Sequence, residues 1–142
     1  MGDSVDKEKV LAALGEALRQ QTRSLVTMTA LAGSLRGLAG AGIKAQLRTF
    51  VQAEVEDTYR LTEKLSALGG SPVMGSPDIE LPTEPLEALQ VLVDTEATTI
   101  AALHAVIPHS GQEPESEALE HLLEHAIMRK QQQVDLMRHA LA

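Results

Sequence analysis

Hydrophobic residues recur every three or four positions along most of the chain, a spacing typical of amphipathic α-helices. The first two stripes are Leu11, Leu14, Leu18, Gln21, Leu25, Met28, Ala32 and Leu35, then Leu47, Phe50, Val51, Glu54, Thr58, Leu61, Leu65 and Leu68. The last two are Leu89, Leu92, Val93, Glu96, Ile100, Leu103 and Ile107, then Leu119, Leu122, Leu123, Ala126, Lys130, Gln133, Val134 and Met137. The pattern predicts four helices and an all-α fold.

The predicted helix ends follow from capping residues, glycines and prolines. Asp3 or Ser4 can cap the first helix, and the glycines near residues 37–42 can end it. The second helix is predicted over residues 43–68, ahead of a pair of glycines. Thr83 or Glu84 can cap a third helix that begins at Pro85 and ends near residue 107. The fourth is predicted over residues 114–141.

Loop lengths predict the topology of the four helices. The first and last connections are short, so helices one and two, and helices three and four, should form antiparallel hairpins. The middle connection, about residues 69–84, is rich in proline and cannot continue a helix. It is long enough to cross the whole bundle. We therefore expect one domain over residues 1–142, with two antiparallel hairpins joined by a long crossover loop.

Composition narrows the classes of function. The 142-residue chain is 44% hydrophobic, which suits one packed domain, and it has no cysteine for disulfides or thiolate chemistry. Its net charge of -8 argues against nucleic-acid binding. The first residues lack a secretion signal, and no uncharged apolar stretch approaches the length of a membrane span. These features predict a cytoplasmic protein with no membrane or nucleic-acid partner.

Polar residues interrupt each apolar stripe at positions where the spacing calls for a core side chain. They are Gln21, Glu54 with Asp57, Glu96, and Lys130 with Gln133. Folding the two hairpins about their loops brings all of them to one level of the bundle. The sequence therefore predicts a ring of carboxylates, amides and one ammonium group in the interior.

Residues 54–72, EVEDTYRLTEKLSALGGSP, resemble the second helix of ferritin-like proteins, bacterioferritins in particular. That helix carries Glu-x-x-His and ends in Leu-x-Gly-x-Pro. The resemblance extends over the whole bundle, because aligning Glu54 with the family glutamate brings the other ring residues onto the remaining metal-ligand positions. It implies a ferritin-like four-helix bundle in which six ligands would enclose two metal ions.

The ring departs from the family pattern in a way that puts a di-iron centre in doubt. Only Glu54 and Glu96 keep the family ligand type. Asp57 and Gln133 stand where the histidines would be, and Lys130 stands where a bridging glutamate would be. The methionine that binds haem in bacterioferritins is replaced by Val55, so haem is not implied.

Three interpretations of the ring remain open. Lys130 can occupy the space of a metal cation and pair with Glu96, with the glutamines hydrogen-bonding the other carboxylates. Alternatively, Glu54, Asp57 and Glu96 bind one divalent ion, such as iron, manganese or zinc. A third interpretation is that the ring is partly exposed to solvent because the helix phases are shifted by one residue.

Three histidines form a secondary candidate metal site. His121 and His125 are one helical turn apart, and the second hairpin brings His104 to a similar height. A histidine pair on the solvated side of a helix, with no metal, is the commoner arrangement. Glu56 and Tyr59 are likewise more typical of an outward glutamate and a half-buried tyrosine than of a redox pair.

Residues 24–35 and 97–103 carry no charge on any side of their helices. We call the outward, uncharged faces of these two segments the backs of their helices. Such faces favour burial against another subunit, so we expect a homo-oligomer, with a further protein partner as an option. The sequence thus predicts a non-catalytic ferritin-like protein with a lost or altered dinuclear site. The alternatives are a ferritin-type protein that oxidises or stores iron with an unusual ligand set, and a small-molecule carrier using the bundle centre.

Overall fold

The computed structural model describes residues 6–75, 78–111 and 114–142. In this part of the chain, helix α1 spans Lys7–Ser34, α2 spans Gly37–Ala67, α3 spans Pro85–His104 and α4 spans Pro114–Leu141. A short 3-10 turn, Ile107–His109, follows α3. The predicted all-α fold with four helices is confirmed.

Side-chain caps define where α1 and α3 begin. The Asp6 carboxylate accepts a hydrogen bond from the backbone N–H of Lys9 at 3.3 Å. The predicted caps Asp3 and Ser4 lie outside the described residues. At the start of α3, the Glu84 carboxylate accepts from the backbone N–H of Glu87 at 2.7 Å. Of the two predicted caps for α3, Glu84 is therefore the one that the structure uses.

The predicted boundary between the first two helices was wrong. Only Leu35 and Arg36 separate α1 from α2, and α2 begins at Gly37 instead of residue 43. Gly37 has a φ of 72°, the left-handed conformation in which glycine turns the chain most easily. The later glycines lie inside α2, where Gly40 lets the helix approach Leu35 closely. One glycine, and not the whole glycine cluster, makes this turn.

Two apolar clusters fill the two ends of the bundle. One contains Val10, Leu14, Ala17, Leu18, Leu61, Leu65, Leu68, Leu103, Val106, Leu119, Leu123 and Ala126. The other contains Met28, Leu31, Ala32, Leu35, Leu47, Ala88, Leu89, Leu92, Val93, Val134 and Met137. The start of α1 thus packs against the end of α2, and the end of α3 against the start of α4, as antiparallel hairpins require.

The same clusters confirm the crossover. The end of α2 belongs to one cluster, whereas the start of α3 belongs to the other. The connection between them must therefore run the length of the bundle, and α2 and α3 lie parallel. In this arrangement α1 packs against α2 and α3, and α4 packs against α3 and α2.

Helix α3 with its following turn, Pro85–His109, is long and apolar enough to suit a membrane span, with a mean hydropathy of 1.2. Its buried residues Leu89, Leu92 and Leu103 nevertheless belong to the two apolar clusters of the bundle. Glu96, in the middle of the helix, is fully buried and ion-paired. These are the contacts of a core helix in a four-helix bundle.

Candidate functional site

A buried polar layer separates the two apolar clusters. Each helix contributes two polar residues three positions apart, which a helix places on one face about one turn apart. The pairs are Gln21 with Ser24, Glu54 with Asp57, Glu96 with Thr99, and Lys130 with Gln133. All eight side chains are at most 2% exposed. The six predicted ring residues are therefore buried at one level, together with two hydroxyl groups that the sequence analysis did not include.

The ammonium group of Lys130 lies at the centre of this polar layer. Its Nζ is 2.7 Å and 2.9 Å from the two carboxylate oxygens of Glu54, and 3.1 Å from Oε2 of Glu96. It also donates to the hydroxyl of Ser24 at 3.2 Å. The lysine and both glutamates have no solvent exposure. One cation thus bridges carboxylates from two helices, and Glu54, which the sequence did not pair with it, is its closer partner.

Neutral side chains complete the network around these charges. The Gln21 amide donates to the Glu54 carboxylate, and also to the hydroxyl of Thr58 at 3.2 Å. The Ser24 hydroxyl accepts from Lys130 and donates to Glu96, so it links the ammonium group to the second carboxylate. Buried charges are stable only when such hydrogen bonds replace lost water.

The Glu96 carboxyl is buried beside groups of both charges, which act on its pKa in opposite directions. Removal from water raises the pKa of the Glu96 carboxyl above its usual value, and the negative charge of Glu54 adds to this rise. The Lys130 ammonium and the hydrogen bond from Ser24 act in the opposite direction. The lysine therefore favours the charged form of the Glu96 carboxyl, against the effect of its burial.

Asp57 lies beside this network and faces a different cation. Burial raises the pKa of the Asp57 carboxyl, while the nearby Arg129 guanidinium opposes the rise. Nε of Arg129 is 3.5 Å from Oδ2 of Asp57, and its Nη2 donates to Nε2 of His125 at 2.7 Å. Arg129 was not predictable from the hydrophobic pattern, because it lies next to Lys130 and outside the apolar stripe.

Several buried polar atoms in the described residues have no protein hydrogen-bond partner. Within the polar layer they are Oε1 of Gln21, Oδ2 of Asp57, and both amide atoms of Gln133. The prediction that Gln133 completes the ring's hydrogen bonds was therefore wrong. Gln133 is buried at the expected level, but its side chain bonds to none of the ring residues.

The donor set of the polar layer does not fit a dinuclear metal centre. Lys130 supplies a positive charge where two dications would need ligands, and its ammonium group already contacts the oxygens of Glu54 and Glu96. Within residues 6–75, 78–111 and 114–142, no group of three or more histidine, aspartate or glutamate side chains is arranged to hold a metal ion. The set Glu54, Asp57 and Glu96 stays a prediction.

The histidine set lies on the outside of the bundle. His104, His121 and His125 are all exposed. Nδ1 of His121 is 4.0 Å from the carboxylate of Glu124, and His125 accepts the hydrogen bond from Arg129. The secondary metal site at these histidines therefore also stays a prediction.

The family model described as "Ferritin-like domain" matches residues 11–142, so the chain belongs to the ferritin-like family. A search of curated protein sequences finds no match.

Several solved structures share the fold at low sequence identity. A ferritin-like, diiron-carboxylate protein from Bacillus anthracis superposes with a TM-score of 0.84 at 18% identity, covering 96% of this chain and 98% of that one. A bacterioferritin-related dodecameric thioferritin from Bacteroides fragilis gives 0.85 at 13% identity, covering 97% and 87%. A DPS protein from Vibrio cholerae O1 gives 0.84 at 14% identity, covering 96% and 91%. The ferritin-like bundle is confirmed.

Proposed function

We propose that this protein is a non-catalytic member of the ferritin-like family in which Lys130 replaces the metal ions of the bundle centre. The observation that carries this proposal is the contact of its ammonium group with both Glu54 and Glu96, at 2.7 Å and 3.1 Å. An ammonium group has no vacant coordination position and undergoes no change of oxidation state. A bundle held together in this way has no redox centre for iron chemistry.

The proposed role is that of a cytoplasmic oligomer that serves as a structural or partner-binding protein. The backs of α1 and α3 support self-association, because they expose small uncharged residues such as Ala30, Gly33, Ala97 and Ala101. Val26, beside this surface on α1, is 39% exposed. The relative from Bacteroides fragilis is described as dodecameric. Small residues at such a surface allow two helices to approach closely.

Ferrous iron oxidation tests the loss of redox chemistry. Aerobic oxidation of ferrous iron, followed by absorbance, should be no faster with the protein than in buffer. The control is a variant with the family ligand types restored, namely Gln21→Glu, Asp57→His, Lys130→Glu and Gln133→His. If this variant folds, it should accelerate oxidation. Faster oxidation by the unmodified protein would contradict the proposal.

The second candidate function is a ferritin-type metal-binding protein with an unusual ligand set. The observation that favours it is Oδ2 of Asp57, a buried carboxylate oxygen with no hydrogen-bond partner among the described residues. One divalent ion, such as iron, manganese or zinc, would then bind Glu54, Asp57 and Glu96. Binding of such an ion requires Lys130 to move away from both glutamates. A titration with manganese in which the metal displaces the lysine would support this second function.

A carrier function at the bundle centre has less support. Such a carrier would need to admit its ligand to Lys130, which has no solvent exposure.

A further inference from the structure

The outward side of α2 carries a second regular row of residues, separate from the stripe that faces the core. Its members recur alternately every four and three positions, the spacing typical of a helix that pairs with another helix. They are Ala41, Ala45, Arg48, Gln52, Val55 and Tyr59, all of them exposed. We call this row the α2 seam. Val55 is 53% exposed and Tyr59 is 61% exposed, so the seam presents large apolar groups to solvent.

The two halves of the seam differ in shape. A groove with a volume of about 610 Å³ lies between α1 and α2 along the first half, and Gly33, Ala41 and Ala45 are among the small residues that line it. The second half projects, because Tyr59 is the only tyrosine of the chain and its side chain stands largely in solvent. One half of the seam thus offers a cavity, and the other offers a ring of the kind that fills one.

The two halves also differ in charge. Lys44 and Arg48 line the groove, and no aspartate or glutamate occurs at residues 17–53, so this part of α1 and α2 is purely basic. The second half carries exposed Glu56 and Glu63 beside the projecting ring. Two copies that met with their α2 helices parallel would bring like charges together. An antiparallel arrangement brings the basic half of each copy to the acidic half of the other.

We infer that a second copy of this chain packs on the α2 seam, with the two α2 helices antiparallel about a two-fold axis at Gln52. Tyr59 and Ala45 are equally far along the helix from Gln52, so the ring of each copy enters the groove of the other. Glu56 and Arg48 are likewise equidistant from the axis and come face to face. The inference rests on the self-association in the proposed function and names the surface that carries it.

The contacts that the second copy replaces contribute little within one chain. Glu56 accepts a hydrogen bond from Nε of Arg60 at 3.0 Å, and both side chains are more than half exposed. The Tyr59 hydroxyl donates to the exposed Glu63 at 3.2 Å. Exposed pairs of this kind add little to stability, so their exchange for contacts across the interface costs little. Burial of the tyrosine ring against a guanidinium group is favourable in addition.

A single cysteine at the proposed axis is the direct test, because the chain has no cysteine of its own. In Gln52→Cys the two introduced thiols lie opposite each other. A bis-maleimide that spans about 8–10 Å, the usual distance between packed helices, should therefore link most of the protein into covalent dimers. Gln46→Cys is the matched control, since Gln46 is also exposed on α2 but lines a groove on the α4 side. It should stay monomeric on denaturing electrophoresis.

The outcomes of the cross-linking experiment separate this inference from the self-association on which it rests. If native mass spectrometry finds the unmodified protein oligomeric but Gln52→Cys does not cross-link, or cross-links no better than Gln46→Cys, the seam is not the interface. An unmodified protein that is monomeric at every concentration would contradict self-association itself, and the inference with it.

Exchange of two charges tests the register of the interface. Arg48→Glu and Glu56→Arg each place like charges across the axis, so each should raise the dissociation constant of self-association about tenfold or more in sedimentation velocity. The double variant Arg48→Glu/Glu56→Arg restores opposite charges and should recover the affinity of the unmodified protein. Far-UV circular dichroism verifies that all three variants fold. A double variant that associates no more tightly than the single variants would overturn the proposed register.

Discussion

At the scale of single residues, the stability of the folded protein depends on the balance of charges around Lys130. Glu54 and Glu96 are fully buried, and the ammonium group is the cation that both contact. Such a network adds little to stability compared with apolar packing, but the loss of one partner leaves a buried charge uncompensated. The two buried carboxylates therefore require Lys130 as their counter-ion.

Replacement of Lys130 by methionine should reveal this requirement. Lys130→Met keeps most of the side-chain volume and leaves two carboxylates without their cation, so we expect a loss of about 3–5 kcal/mol in the free energy of unfolding. Urea unfolding at pH 7 measures it. The loss should shrink at acidic pH as Glu96, whose pKa is raised by burial, takes up a proton. Lys9→Met, at an exposed lysine, is the control, and equal effects of the two substitutions would contradict the account.

The raised pKa of Asp57 predicts a specific pH dependence. The folded protein holds the Asp57 proton more tightly than the unfolded chain does. The stability due to this proton is therefore present below the pKa of unfolded aspartate, and it is lost as the pH rises through the raised folded value. Asp57→Asn removes this titration. The stability of the variant relative to the unmodified protein should thus increase as the pH rises from about 4.

Urea unfolding of both proteins across the pH range measures this difference. Asp135→Asn is the control, because Asp135 is exposed and accepts only a local hydrogen bond from Gln131. The stability difference between the Asp57→Asn variant and the unmodified protein should rise with pH. If it stays constant, or falls as the pH rises, the pKa of Asp57 is not raised by burial.

At the scale of helices, the sequence was sufficient for the architecture, because hydrophobic periodicity and proline content are local properties. The four helices and the level of the ring follow from the spacing of apolar residues, and the two hairpins follow from the lengths of the connections. Details that depend on contacts between helices were not predictable. Asp57 reaches Arg129, and Ser24 reaches Glu96 and Lys130, only across the bundle. The lack of protein hydrogen bonds at Gln133 likewise depends on its surroundings in the folded bundle.

The link between α1 and α2 could not be located from composition alone, since three nearby glycines gave the same signal. A pair of substitutions distinguishes their roles. Gly37→Ala should destabilise the protein by about 1 kcal/mol or more, because alanine disfavours a φ of 72°. Gly42→Ala should stabilise it by up to about 1 kcal/mol, since Gly42 lies inside α2 with open space for a methyl group.

Thermal unfolding of the two glycine variants checks this prediction. The assignment of the turn to Gly37 predicts opposite signs for the two changes in melting temperature. A fall of similar size for both variants would instead support the original expectation that the whole glycine cluster forms the turn.

At the scale of the whole molecule, two apolar clusters provide the stability of the bundle, and one polar layer divides them. The outer surface is similarly divided. Most helix faces carry charge, whereas residues 24–35 and 97–103 carry none. An uncharged surface on an otherwise acidic protein is the natural place for a second copy to pack.

Introducing a charge on this surface tests whether it forms the interface of a homo-oligomer. Ala30→Glu and Ala101→Glu place carboxylates on the exposed backs of α1 and α3, where burial in an interface would cost their hydration. We expect at least one of the two variants to lose mass by light scattering after size-exclusion chromatography. Ala118→Glu, on the exposed and acidic side of α4, is the matched control and should leave the mass unchanged. Unchanged mass in both test variants would exclude these backs as interfaces.

The most direct test of the central claim is the metal content of the protein purified without chelators, measured by elemental analysis together with native mass spectrometry. If the Lys130 ammonium replaces the metal ions of the family, iron, manganese and zinc should all be far below one equivalent per chain, in an oligomer that is otherwise intact. A stoichiometric pair of iron or manganese ions per chain would contradict the account, because Lys130 and a dinuclear centre cannot occupy the same space between Glu54 and Glu96.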